Sequence, residues 1–188
     1  MEGRQILDGI ILVHETIHSL KATKTPGMLL KLDLSKSYDK LNWHFLEGIL
    51  KAFGFADEWT NWIMNLVSSA FFSILVNGSP SFPFNASIGI RQGDPLSPFL
   101  FILAAEGLGR LIKSRQVENK IRSLSLTEGM DRQTHQQFVD DNMLMGPSSV
   151  HESRGIKDCL NTFLEASGLE INKEKSHTYF FNTPRITK

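Results

Sequence analysis

Five stretches of the chain carry apolar residues at helical spacing, and shorter apolar runs broken by turn residues lie between them. The first stretch covers residues 5–20, with Ile6, Ile10, Val13 and Ile17 on one face. Thr23 to Gly27, with Pro26, reads as a loop, and Met28 to Leu34 as a strand. Only Lys31 and Asp33 interrupt the apolar residues of that strand, the pattern of a central position in a sheet. Ser35 to Leu41 reads as a polar turn carrying Tyr38 and Asp39. Asn42 caps a helix with Leu46, Ile49, Leu50 and Phe53 on one face and Gly54 past its end. Asp57 caps the next helix, with Trp62, Ile63, Leu66, Val67 and Ala70 turned inward. Phe71 to Val76 predicts a strand, Asn77-Gly78 a tight turn, and residues 82–90 a returning, proline-containing edge strand. Arg91 to Leu96 is a polar turn, after which Ser97-Pro98 opens a helix running to about Arg115. Ile121 to Leu126 predicts another strand. Ser149-Val150-His151-Glu152 is a capping box. Its helix turns Ile156, Cys159, Leu160, Phe163, Leu164 and Ser167 inward and stops at Gly168. Leu169 to Ile171 and Tyr179 to Phe181 close the chain as a small hairpin. This order predicts an α+β fold, helices packed on one face of an antiparallel sheet.

The candidate chemistry centres on Phe138-Val139-Asp140-Asp141. An apolar run leads into the two carboxylates, and another, Met143-Leu144-Met145, follows Asn142. This reads as a tight hairpin with Asp140 and Asp141 at its tip. Asp-Asp-Asn suits an ordinary surface turn. It also suits a hard cation such as Mg²⁺, which takes oxygen ligands, provided another rigid element supplies a third carboxylate. Asp33 is the candidate, because a carboxylate inside an apolar strand needs a cation or a donor unless it sits solvated at the strand end. Three converging aspartates can hold two Mg²⁺ ions for phosphoryl transfer. Gln92-Gly93 adds an amide that both donates and accepts beside a residue that lets a ligand approach the backbone. Arg91 reads equally as a phosphate or template contact and as a solvated cation. Tyr38 reads as a ring for a sugar or as packing.

Lys and Arg together number 20, as do Asp and Glu, so no general field draws nucleic acid to the chain. Charged residues make up 21% and hydrophobic ones 41% of 188 residues, the composition of a folded domain. The single cysteine, Cys159, permits no intrachain disulfide and points to an intracellular setting, with neither nucleus nor cytoplasm singled out. No apolar stretch is long enough to span a membrane.

Four segments carry a resemblance. Residues 31–43, Lys-Leu-Asp-Leu-Ser-Lys-Ser-Tyr-Asp-Lys-Leu-Asn-Trp, resemble the first catalytic motif of reverse transcriptases from non-LTR (LINE-type) retrotransposons, especially those of plants. Arg91-Gln92-Gly93-Asp94-Pro95-Leu96-Ser97-Pro98 and the residues to Phe101 resemble the second. Phe138-Val139-Asp140-Asp141 resembles the third, and Ser167 to Ser176 is similar to the fourth. The four stand in the family's order and cover the chain from about Gly3 to Phe181.

The resemblance implies a reverse-transcriptase palm over residues 28–188, with residues 1–27 a C-terminal remnant of the fingers and the thumb absent. Asp33, Asp140 and Asp141 would be the catalytic and metal-binding acids, with two Mg²⁺ ions, or Mn²⁺, as cofactors. Tyr38 would match the aromatic that screens out a ribose 2′-hydroxyl, Arg91, Gln92 and Gly93 would line the incoming nucleotide, and Lys175 would match a lysine near the leaving pyrophosphate, with Lys173 close by. The implied partners are an RNA template with a DNA primer and deoxynucleoside triphosphates, with missing fingers and thumb segments supplied in trans and no membrane. The chain departs from the family at Val139, where Ala is usual, at Ile88, where Arg is common, and at Ser37, where Ala is common. The alternatives are a catalytically inactive retroelement remnant that at most binds nucleic acid or protein, and another two-metal palm enzyme such as a nucleotide cyclase. The second motif argues against the cyclase.

Overall fold

The strand predicted at Met28 to Leu34 is the axis of the sheet. A computed structural model describes residues 6–124, 135–138 and 141–183. In chain order the elements are α1 (Ile6–Thr23), β1 (Gly27–Ser35), α2 (Ser37–Lys40), α3 (Trp43–Ala52), α4 (Asp57–Ser68), β2 (Phe71–Phe72), β3 (Leu75–Val76), β4 (Ser79–Pro80) and β5 (Phe84–Asn85). They continue with α5 (Ser97–Val117), β6 (His135–Phe138), β7 (Asp141–Pro147), α6 (Val150–Ser167), β8 (Glu170–Ile171) and β9 (His177–Phe181). The chain divides into two compact units. One comprises Met1–Ser35, Leu108–Phe163 and Ile171–Lys188, the other Lys36–Gly107 and Leu164–Glu170.

The first unit is built on a five-stranded sheet in the order β6-β7-β1-β8, with β9 also paired to β1. Antiparallel pairing runs from Gly27 opposite Pro147 to Asp33 opposite Asp141. Register fixes which face each side chain joins, because neighbours along a strand point to opposite faces. Leu29 and Met145, opposite one another, pack with Leu20 and Leu124, and Val13 and Ile17 of α1 close over them. Met28 lies on the other face, where its sulfur contacts Ser153 of α6. There Ile112, Ile121, Leu144, Ile156 and Cys159 line a small apolar cavity. Near-continuous apolar sequence in β1 is therefore the consequence of cover on both sides.

The second unit packs around Leu41, Leu46, Leu50 and Phe101, all fully or almost fully buried. Asn42 caps α3 as its residue type predicts, with Oδ1 accepting from the backbone N–H of His44 (2.8 Å) and Phe45 (3.3 Å). Ile49 and Phe45 crowd Gly107 of α5.

Several local expectations change. The polar turn after β1 contains a helical turn, α2, entered through Lys36 in the left-handed region (φ 48°). Asp57 is the first residue of α4 rather than its cap, a place filled by Ala56 with no side-chain bond. Trp62 and Leu66, expected inside, are 66% and 61% exposed, and only Ile63 and Ala70 of that face are buried. The expected strands at 71–76 and 82–90 reduce to two-residue pairs, β2 with β5 and β3 with β4. Nothing covers these apolar residues enough to bury them: Phe71, Leu75 and Phe82 are all well exposed. Residues 121–123 are not a strand, and only Leu124 makes a bridge; 125–126 lie outside the described residues. Half of the capping box holds: Ser149 Oγ accepts from the Glu152 N–H at 3.1 Å. The Glu152 side chain turns inward instead, fully buried, and accepts from the Arg122 N–H. The last two strands do not form a hairpin with each other, because both add to β1.

Candidate active site

Asp33 lies near the C-terminal end of β1, between the buried Leu32 and Leu34, and is itself partly buried. Its backbone is held from the side opposite β7. The Asp33 N–H donates to Ser176 Oγ (3.0 Å), and its C=O accepts from the Asn172 N–H (2.9 Å). Both main-chain groups of one strand residue point to the same side. Asp33 and Asp141 are therefore a non-hydrogen-bonded pair, the kind in which facing Cα atoms come closest, about 4.5 Å. The Asp33 carboxylate has no hydrogen-bond or ion-pair partner among the described residues. A partly buried carboxylate with no partner among the described residues, opposite a second aspartate position, fits a cation site of oxygen ligands.

Asp141 opens β7 rather than sitting at the hairpin tip with Asp140, and it pairs with Phe138 of β6. Asp140, with Val139, lies outside the described residues.

Lys175 is carried to the same strand end. Asn172 Oδ1 accepts from the N–H groups of Glu174 (3.1 Å) and Lys175 (3.3 Å), and the Ser176 N–H donates to the Asn172 C=O (3.0 Å). The turn so closed is clamped by its two ends to the backbone of Asp33, with Lys173 and Lys175 exposed on it. Asn172 and Ser176 were not singled out from the sequence. The signal available was an Asn four residues ahead of a Ser around a charged turn, since Asn side chains cap such turns.

Tyr38, Arg91, Gln92 and Gly93 belong to the second unit. The Tyr38 ring stacks on Phe101 of α5, with centroids 5.1 Å apart. The segment after it and the segment before α5 are bound together. The Ile90 N–H donates to the Tyr38 C=O (2.7 Å) and the Gly89 N–H to the Leu41 C=O (2.8 Å). The Trp43 Nε1–H donates to the Gly89 C=O (2.6 Å), and Gln92 Nε2 to Asp39 Oδ1 (2.9 Å). Gly89 is what permits this approach. It has φ +82°, and a Cβ there would stand 2.6 Å from the Asp39 carbonyl oxygen. No role was singled out for Gly89 or Trp43 in the sequence, although a Gly inside an apolar run is a sign of close backbone approach. The fold thus ties the Tyr38–Asp39 segment to the Ile90–Gln92 segment, while Arg91 is exposed and Gly93 lies in open space at φ +81°. Cys159, read as core, is buried against the sheet, and desolvation pushes its thiol up to about 11.

Comparison with known proteins identifies the class. The profile of the family "Reverse transcriptase (RNA-dependent DNA polymerase)" matches residues 1–185. The chain belongs to that family and is a reverse transcriptase domain of α+β palm fold. It is 29% identical over 174 residues to the transposon TX1 uncharacterized 149 kDa protein of Xenopus laevis, covering 93% of this chain and 13% of that one. It is also 29% identical over 150 residues to the Pol polyprotein of the type-2 retrotransposable element R2DM of Drosophila melanogaster, covering 78% and 13%. These two homologues come from non-LTR retrotransposons, and the chain spans about an eighth of the length of each. Telomerase from Candida albicans, solved with a fragment of telomeric RNA, superposes with a TM-score of 0.68 over 98% of this chain and 31% of that one, at 14% identity. That likeness is one of fold. No helix among the described residues is long and apolar enough to cross a membrane.

Proposed function

We propose that this domain catalyses RNA-templated DNA synthesis. The primer 3′-hydroxyl attacks the α-phosphate of a deoxynucleoside triphosphate, a new phosphodiester forms, and pyrophosphate leaves. The observation that carries the reading is the facing of Asp33 and Asp141 across β1 and β7, with no hydrogen-bond or ion-pair partner for the Asp33 carboxylate among the described residues. Asp33, Asp140 and Asp141 would hold two Mg²⁺ ions, or Mn²⁺, whose charge favours ionisation of the attacking hydroxyl and offsets the charge gathering on the phosphate oxygens. Each other role rests on the resemblance together with local structure. Tyr38, fixed by its stack on Phe101, would bar a 2′-hydroxyl. Gln92 and Gly93 would line the nucleotide, and Arg91 would meet phosphate or template. Lys175, on the turn clamped to Asp33, would neutralise the departing pyrophosphate.

The domain division follows the same reading, residues 1–27 belonging to the fingers and 28–188 to the palm. The first motif favours a plant element, and the buried thiol of Cys159 suits an intracellular setting. The test is primer extension on an RNA template, in Mg²⁺ and then Mn²⁺, comparing the chain with Asp140→Ala. Template-dependent extension, reduced at least about a hundredfold by the substitution, is expected from loss of a charge-stabilising group. No extension by folded wild-type chain would refute catalysis and favour a remnant, detected as RNA binding that weakens with salt.

A further inference from the structure

Gln92 offers a ligand two different ends. Its amide nitrogen only donates and its oxygen only accepts, while the two ends have nearly the same shape. Which end faces outward decides what chemistry the position presents, and Gln92 itself cannot decide it. Asp39 can. Gln92 Nε2 lies 2.9 Å from Asp39 Oδ1, and a carboxylate only accepts. The amide must therefore turn its NH₂ end to Asp39, leaving Oε1 as the outward end.

Asp39 is in turn well anchored. It lies in α2, where its N–H donates to the Lys36 C=O (3.0 Å). Its own carbonyl sits against Gly89, in the strip of bonds that ties residues 38–43 to residues 89–92. Tyr38, its neighbour, is fixed on Phe101. The hydrogen bond spans 53 positions of sequence, and both side chains are exposed, so it adds little to the stability of the fold. A bond across such a distance that stabilises little is suited to orienting a group.

We propose that Asp39 is a positioning residue that fixes the Gln92 amide with its carbonyl oxygen outward, so that position 92 accepts a hydrogen bond from a donor on the incoming nucleotide. This rests on the nucleotide-lining role of Gln92 proposed above. Asp39→Ala releases the amide. Asp39→Asn lets it turn either way, because Asn can both donate and accept. Asp39→Glu, still an acceptor, restores part of the effect.

The experiment has two readouts. The first is the side-chain amide proton pair of Gln92 in a ¹H–¹⁵N spectrum, identified by its disappearance in Gln92→Ala. The second is titration of the protein with Mg²⁺-dTTP. In Asp39→Ala the amide pair should move to free-glutamine positions while the urea midpoint stays unchanged. dTTP affinity should fall about tenfold, the loss of one well-oriented hydrogen bond to the nucleotide. The double variant Asp39→Ala/Gln92→Ala should bind no more weakly than Gln92→Ala alone, because Asp39 acts through Gln92. An unmoved amide pair in Asp39→Ala, or a loss in the double variant that adds to that of Gln92→Ala, would overturn the proposal. Wild-type chain that binds no dTTP would overturn the nucleotide role of both residues, a failure distinct from the other because the amide pair still reports the hold of Asp39 on Gln92.

Discussion

Gly89→Ala isolates what the second unit requires of its backbone. The added Cβ would stand 2.6 Å from the Asp39 carbonyl oxygen and 2.9 Å from that of Tyr38. Neither obstacle is a flexible side chain, so one strand of the chain must move. Three contributions follow. An L-residue at φ +82° costs about 1–2 kcal/mol. Forcing the packed backbone apart costs about 1–3 kcal/mol. Losing one of the short bonds at Gly89 or Ile90 costs about 1 kcal/mol. The total is about 3–6 kcal/mol, a large share of the ~5–15 kcal/mol that holds a domain. Gly93→Ala is the control. Its φ is +81°, but a Cβ there meets nothing within 4 Å, leaving only the conformational cost of about 1–2 kcal/mol. The two variants therefore differ by the clash and the lost bond alone. Urea unfolding followed by tryptophan fluorescence measures it, because the chain's tryptophans, Trp43, Trp59 and Trp62, all lie in the second unit. With a slope of about 2 kcal/mol per molar urea, the Gly89→Ala midpoint should fall roughly 1–2 M further than that of Gly93→Ala. Equal midpoints would refute the claim that carbonyl contact, rather than backbone angle, makes Gly89 necessary.

Two further outcomes concern the first unit. Glu152→Ala removes the acceptor of the Arg122 N–H, a part-buried bond to a fully buried side chain, and should destabilise by about 1–3 kcal/mol, whereas Glu152→Gln keeps an acceptor and should lose less; equal urea midpoints for the two would show that the contact contributes nothing. Cys159 should resist iodoacetamide at pH 8 in folded protein and react once urea unfolds it. Its thiol titrates near 11 in the fold against 9.0 ordinarily, so the fold holds the proton longer, and this contribution, complete below pH 9, is lost as pH rises through 11; rapid labelling of native protein would contradict the burial.

The sequence by itself determined whatever depends on local pattern. Alternation and helical spacing located α1, β1, α3 and α6, Asn42 marked its own helix start, and the turn residues marked the hairpin of β6 and β7. The four motifs named the family and the candidate acids, because polymerase chemistry confines charge to a few positions on rigid strands. Tertiary structure decided everything that needed a partner. Trp62 and Leu66 lie on the apolar side of a helix yet face outward, because spacing records which residues are apolar and not what covers them. Glu152 had the local signature of a cap, but a backbone N–H 30 residues away claimed its buried side chain. β8 and β9 looked like a hairpin because they are neighbours in sequence, whereas β1 offered both of them a free edge. The clamp of Asn172 and Ser176 on Asp33, and the bond from Gln92 to Asp39, join residues far apart in the chain, and strand register with backbone approach, which no local pattern encodes, brought them together.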